Sequence, residues 1–325
     1  MEAVATDDPG IVFELEQLFR GRNRQVKAVV VVLNGHVIAE RYAPGYGVDT
    51  PLLSFSVAKS ITNALAGVLV RQGRLSLYQN VERPEWAGAE DLRSSITAND
   101  LLRMQSGLDA RESGDGFDPV THMLLLHDDM AHFAAGRPAR ARPGALWEYT
   151  SANTIILSRQ IGDVVGGGAF GMRSFAEREL FEPLGMEDVT MEFDGVETFV
   201  GSTFVYAPAR AYARLGLLFL NDGVAPDGRR ILPRGWVDYS RRRTLNSSYG
   251  AGFWLASGDG EDARRLRAAG FPDDGYYAWG ALGQRIYIVP SRGIVMARFG
   301  YTLAVDQDVD ADMRLLGAVI ASEGG

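Results

Sequence analysis

The spacing of apolar residues divides the chain into two strand-forming ends and a helical middle. Residues 26 to 42, VKAVVVVLNGHVIAERY, read as a β-hairpin in which Asn34-Gly35 supplies the positive backbone angles of a tight turn. The first arm is apolar on both faces, so helices are expected on both sides of its sheet. A helix from about Pro9 to Arg20 precedes it. Apolar residues at 57, 61, 64, 65, 68 and 69 then mark a helix that Gly73 ends. Thr97 caps ANDLLRMQ, which Ser106-Gly107 stops, and NTIILSRQIGDVV and ARAYARLGLLFL carry apolar residues three and four apart. Strand patterns return in GAGFWLA (250 to 256), GQRIYIVP (283 to 290) and GIVMARFGY (293 to 301), the last two joined by a turn holding Pro290 and Gly293. A final amphipathic helix is expected over about 309 to 322. The sheet is therefore assembled from both chain ends, with helices inserted between them.

Composition narrows the function. The chain has 325 residues, 46% hydrophobic and 23% charged, ordinary values for a soluble globular enzyme with a large core. A net charge of −8 argues against nucleic acid as a partner, and Arg241-Arg242-Arg243 is too short a basic run to reverse that. There is no cysteine, which removes disulfides, thiolate nucleophiles and zinc-thiolate sites. The start MEAVATDDPG lacks the basic and apolar stretches of a signal peptide, and no apolar run is long enough to span a membrane. A cytoplasmic protein with no membrane partner is the expectation.

The basic residues are lopsided: 31 arginines and two lysines. One lysine, Lys59, follows Ser56 by three residues where an apolar helix begins. Arginine keeps its proton, whereas a lysine amine gives its proton up when burial and a helix amino terminus disfavour the charge. Such an amine can take the proton of Ser56 and make it a nucleophile. S-x-x-K alone also arises by chance, as a capping serine followed by an incidental lysine. In PGALWEYTSANTIIL (143 to 157), Tyr149, Ser151 and Asn153 lie on the approach and first turn of a helix. Tyr149 can serve as a base if a cation such as Lys59 lowers its pKa; otherwise it is a packed aromatic. In YYAWGALGQRIYIVP (276 to 290), Gly280 and Gly283 let a strand approach a ligand closely, or mark a bulge.

Together these segments resemble the serine β-lactamase and penicillin-recognising superfamily, nearest to its class C-like branch of class VIII esterases and 6-aminohexanoate-dimer hydrolases. ERYAPGYGVDTPLLSFSVAKSIT, ITANDLLRMQSGL, PGALWEYTSANTIILS, LFEPLGMEDV, ARLGLLFLNDG, YGAGFWL and GQRIYIVPSRGIVMARFG follow the order of that branch over roughly residues 26 to 301. The resemblance implies that Ser56 is acylated, that Lys59 and Tyr149 share the proton work, and that the N–H groups of Ser56 and Ala281 form an oxyanion hole. Asn153, or in second place Ser151, takes the substrate-binding place of the Y-x-N element. Ala278-Trp279-Gly280 replaces K-T-G, which puts Trp279 and Gly280 beside the substrate and removes the lysine that holds a β-lactam carboxylate. Arg285 could replace that lysine if its strand turned it into the cleft.

The fold so implied is a β-lactamase-like α/β sandwich: an antiparallel sheet flanked by helices, from residues 10–75 and 226–325, with an all-helical domain over 76–225 and the site in the cleft between. The activity implied is acyl transfer to water from a small ester or amide, with no metal or organic cofactor. A β-lactamase or DD-peptidase, and a non-catalytic binding module, stand as alternatives. Competing motifs are weak. GGGAFG (166 to 171) follows a helix rather than a strand, DQDVDAD (306 to 312) lacks the glycine and closing glutamate of a calcium loop, and His122, His127 and His132 are five apart, off any common helix face. No G-x-S-x-G occurs.

Overall fold

The computed structural model describes residues 6–20, 25–88, 91–303 and 305–322. Strands β1 (Val26–Leu33) and β2 (His36–Tyr42) form the expected hairpin, with Asn34 at φ 50° and Gly35 at φ 85° in its turn. Short strands β3 (Leu52–Leu53), β4 (Thr190–Met191) and β5 (Val205–Ala207) make a separate small sheet in the order β3-β5-β4. The later strands are β6 (Trp254–Leu255), β7 (Tyr276–Gly280), β8 (Gln284–Val289) and β9 (Ile294–Gly300). They join the hairpin in one antiparallel sheet, β2-β1-β9-β8-β7-β6, so the last strand pairs with the first.

The helices, in chain order, are α1 (Pro9–Arg20), α2 (Ala58–Arg71), α3 (Ala98–Leu102), α4 (Pro119–Leu126), α5 (Met130–Ala135), α6 (Ser151–Val165), α7 (Gly168–Ala176), α8 (Glu182–Leu184), α9 (Ala209–Leu220), α10 (Trp236–Ser240), α11 (Glu261–Ala268) and α12 (Val305–Ser322). Alternation along each strand gives the sheet two buried faces. Val29, Val31, Tyr287 and Met296 pack with Ile11 and Leu18 of α1 and with Leu315 and Leu316 of α12. On the other face Val30, Ile286, Val295 and Phe299 belong to the larger core that includes α2 and α9. Truncating one such leucine or isoleucine to alanine costs about 2–5 kcal/mol. Helix α9 falls in the stretch assigned above to the helical region, yet it packs on the sheet: a Cβ at Gly216 would lie 2.5 Å from a methyl of Val295. Among the described residues no helix is long and apolar enough to cross a membrane.

Three elements depart from expectation. The capping box of Thr97 and Asp100 starts α3, but the helix ends at Leu102 because Met104 takes φ 58° and the Arg103 side chain is drawn to the carbonyls of Tyr239 and Arg242. The 250 to 256 strand shrinks to β6, since Gly250 and Gly252 bring the backbone against the carbonyl of Ser240 and against Asn63 instead of into the ladder. The last helix begins at Val305, about one turn early.

Candidate active site

Residues 52–54 are held from both sides before the chain reaches Ser56. Leu52 and Leu53 pair with β5, the Ser54 hydroxyl donates to the Thr203 carbonyl at 2.9 Å, and the Tyr212 hydroxyl donates to the Leu52 carbonyl at 2.9 Å. Phe55 then adopts φ 43°, a left-handed conformation that costs a non-glycine residue about 1–2 kcal/mol. One 3-10 turn, Phe55–Val57, leads into α2. Ser56 thus sits just ahead of the helix, partly exposed, while Lys59 lies one turn along and is only 3% exposed.

Lys59 Nζ makes three close polar contacts: Ser56 Oγ at 2.8 Å, Ser151 Oγ at 2.9 Å and the Ser202 carbonyl at 3.0 Å. Burial lowers its pKa from 10.5 to about 8, against an opposing pull from the Glu112 carboxylate. Roughly a tenth of the amine is then neutral at pH 7, enough to leave a lone pair directed at the Ser56 hydroxyl.

Tyr149 lies beside Ser56, and its ring centroid lies 5.0 Å from Lys59 Nζ. The condition for Tyr149 to act as a base, a lowered pKa, is not what the surroundings produce. Burial of the hydroxyl, with Tyr249 and Glu112 nearby, pushes it well above 10, and Ser56 offsets this only in part. In the resting site Tyr149 is a phenol and Lys59 is the group placed to be the base.

The two residues offered for the Y-x-N place separate cleanly. Thr150 caps α6, its hydroxyl accepting from Ala152 N–H, so Ser151 is the first helical residue and points at Lys59. Asn153 is buried elsewhere: its Oδ1 accepts from Ser106 Oγ at 2.6 Å and its amide lies 3.6 Å from the Met104 sulfur.

Strand β7 ends against Ser56. A Cβ on Gly280 would stand 2.5 Å from the Ser54 carbonyl oxygen and 3.1 Å from Ser56 N, so glycine is required for this approach. Ala281, the next residue, is exposed beside it. Trp279 points to the α1/α12 side of the sheet and reaches the site only through Trp254, whose ring is 6.1 Å from Trp279 and 5.3 Å from Tyr149. Arg285 lies on that side too, pairing with Asp312 at 3.2 Å and stacking 5.2 Å from Trp279, so it does not enter the cleft.

Sequence reasoning missed three groups. Glu112 Oε2 accepts the Ser151 N–H at 2.6 Å, the Ser202 carbonyl accepts from Lys59, and Trp254 stands over Tyr149. The first lies in the loop DARESGDGFDP (109 to 119), and nothing in local spacing marks it. Beside Trp254, a cavity of about 810 Å³ opens between Trp147, Leu146 and Leu245, with Ser248 and Asp262 also on its wall.

A serine, a buried lysine and a tyrosine in the cleft of a helix-flanked antiparallel sheet define the architecture of the serine β-lactamase superfamily. The chain belongs to the Beta-lactamase family, whose profile matches residues 15–318. It is 27% identical over 318 residues to the 6-aminohexanoate-dimer hydrolase of Paenarthrobacter ureafaciens, spanning 92% of this chain and 76% of that one. A candidate 6-aminohexanoate-dimer hydrolase from Bacillus anthracis superposes with a TM-score of 0.79 at 20% identity, covering 99% of this chain and 88% of the other. Simvastatin synthase from Aspergillus terreus gives 0.73 at 18% identity, covering 98% and 100%. These last two likenesses concern the fold.

Proposed function

We propose that this chain is a serine hydrolase that cleaves small esters or amides through an acyl-enzyme on Ser56. The observation that carries the reading is the 2.8 Å contact between Ser56 Oγ and a buried Lys59 whose pKa is brought down to about 8. Neutral Lys59 takes the Ser56 proton as Oγ attacks the carbonyl carbon. The N–H groups of Ser56 and Ala281 receive the developing oxyanion, the role that the tight Gly280 approach supports. Tyr149, still a phenol and beside Ser56, passes its proton to the departing alkoxide or amine and regains one from Lys59. Water then attacks the acyl carbonyl by the same route in reverse and releases the acid.

The named hydrolase relative supports amide cleavage, and the cavity beside Trp147 supports substrates with an apolar portion. Treatment with a p-nitrophenyl alkylphosphonate, followed by intact-mass measurement and peptide mapping, is expected to place one phosphonyl group on Ser56. An adduct elsewhere, or a Ser56→Ala variant within about tenfold of wild-type rate, would retire the assignment.

A further inference from the structure

The loop 109–119 is fastened to the start of α6 at consecutive residues. Thr150 Oγ1 donates to the Ala110 carbonyl at 2.6 Å, and the Ser151 N–H donates to Glu112 Oε2 at 2.6 Å. The first N–H groups of a helix have no partner within it, and the amino-terminal end of the helix dipole favours a negative charge. A carboxylate from a distant loop meets both demands here. The residue it grips is the one whose hydroxyl touches Lys59 Nζ, so the chain of contacts runs from Glu112 through Ser151 to the amine.

The charge matters separately from the hydrogen bond. Lys59 faces neutral groups from α2, α6 and the Ser202 loop, namely Ser56, Ser151 and a carbonyl oxygen, together with the Tyr149 ring from the approach to α6. The anion acting on it is Glu112, which favours the ammonium form while burial opposes it. The same carboxylate acts on Tyr149 and Tyr249, in both cases favouring the neutral phenol. One partly buried side chain therefore biases the protonation of Lys59, Tyr149 and Tyr249.

We propose that Glu112 is a positioning residue of the hydrolytic site: its carboxylate holds the first turn of α6 so that Ser151 stays against Lys59, and its negative charge steadies the ammonium form of that lysine. This rests on the reading of Ser56 and Lys59 as nucleophile and base. The two parts of the role separate in two variants. Glu112→Gln keeps an oxygen for the Ser151 N–H and loses the charge; Glu112→Ala loses both.

The chain offers an unusually direct readout, because Lys27 and Lys59 are its only lysines. Full-length protein labelled with ¹³Cε-lysine gives two titrating signals, assigned with a Lys27→Arg variant. In Glu112→Gln the Lys59 midpoint is expected to fall by on the order of one pH unit, while Lys27 stays in place. The acidic limb of kcat/KM for p-nitrophenyl acetate should move down by the same amount, because the neutral amine persists to lower pH. Glu112→Ala should show the same midpoint shift and a further loss of about tenfold in kcat at its pH optimum. An unmoved Lys59 midpoint in Glu112→Gln overturns the electrostatic part, and equal kcat in the two variants overturns the holding part. The NMR midpoint is read without turnover, so an active Ser56→Ala enzyme would defeat the nucleophile assignment while leaving the Glu112 result legible.

Discussion

Ser151 Oγ stands 2.9 Å from Lys59 Nζ, while Asn153, two residues further along the same helix, is bonded to Ser106. Two residues correspond to about 200° of rotation about a helix axis, so the two side chains serve opposite sides of α6. Ser151→Ala is expected to lower kcat about ten- to a hundredfold with little change in thermal midpoint, since the amine loses a directing contact. Asn153→Ala should do the reverse, destabilising the fold by about 1–3 kcal/mol through the unpaired Ser106 hydroxyl. Steady-state kinetics beside thermal melts of both variants check this; a larger kcat loss in Asn153→Ala would exchange their roles.

Lys59 links activity to stability. Its pKa is 10.5 when unfolded and about 8 when folded, so the unfolded state binds more protons between those values and stability rises with pH across that window. Below about pH 8 the fold carries the whole cost, about 3 kcal/mol at most. The difference in unfolding free energy between wild type and Lys59→Met should therefore grow in favour of wild type from pH 8 towards pH 10. A flat difference in urea titrations would mean that burial does not depress this amine. Lys59→Arg should be as inactive as Lys59→Ala, because a guanidinium cannot act as a base near neutral pH.

Tyr149→Phe tests the division of labour. With the phenol held well above its ordinary pKa, the acidic limb of the rate profile belongs to Lys59. The variant should lose about a hundredfold in kcat and keep the wild-type acidic limb. A limb that moved with Tyr149→Phe would show the pair titrating as one unit.

Gly280→Ala tests the seat of the nucleophile. The added methyl would meet the Ser54 carbonyl oxygen at 2.5 Å, so either the β7 end or the Ser56 backbone must shift. A displacement of about 1 Å at reacting atoms can cost about a hundredfold. The expected result is a folded protein whose kcat falls by that order while the thermal midpoint drops only slightly; undiminished kcat would remove β7 from the site.

Antibiotic turnover follows from where Arg285 points. It is buried with Asp312 behind the sheet, and Ala278, the residue aligned with the K-T-G lysine, carries no charge. A missing charge-assisted hydrogen bond of about 1.5–3 kcal/mol corresponds to roughly ten- to a hundredfold in kcat/KM for nitrocefin. Short p-nitrophenyl esters should be cleaved with the higher kcat/KM. Arg285→Ala should destabilise by about 3–5 kcal/mol, by leaving Asp312 short of a buried partner, without altering the nitrocefin-to-ester ratio. A nitrocefin kcat/KM above that of the best ester would reverse this preference.

What the sequence made legible was whatever local chemistry enforces. Asn34-Gly35 prescribes a turn, Thr97 with Asp100 prescribes a helix start, and the run Val29 to Val32 prescribes burial on both faces. The S-x-x-K spacing likewise brings Ser56 and Lys59 together within a single helical turn. The rest depends on contacts between distant segments. Glu112 meets Ser151, 39 residues away, and the Ser202 carbonyl meets Lys59, 143 residues away. Gly250 and Gly252 read as members of a strand because a glycine used for close approach cannot be told from one inside a ladder until its neighbour is known. The direction of the Tyr149 pKa is hidden for the same reason: the sequence offers a nearby cation but does not show the enclosure of the hydroxyl.

The pairing of β1 with β9 has a meaning in time as well as in space. As the chain leaves the ribosome, Ser56 and Lys59 emerge early, and the strand end that packs against Ser56 emerges more than two hundred residues later. At about 5–20 residues per second, that delay amounts to ten seconds or more. The central strand β9 follows later still, so the sheet cannot close on any shorter nascent chain. The proposed nucleophile is thus made before the strands that seat it, and hydrolysis at Ser56 would report that the chain has been made through β9.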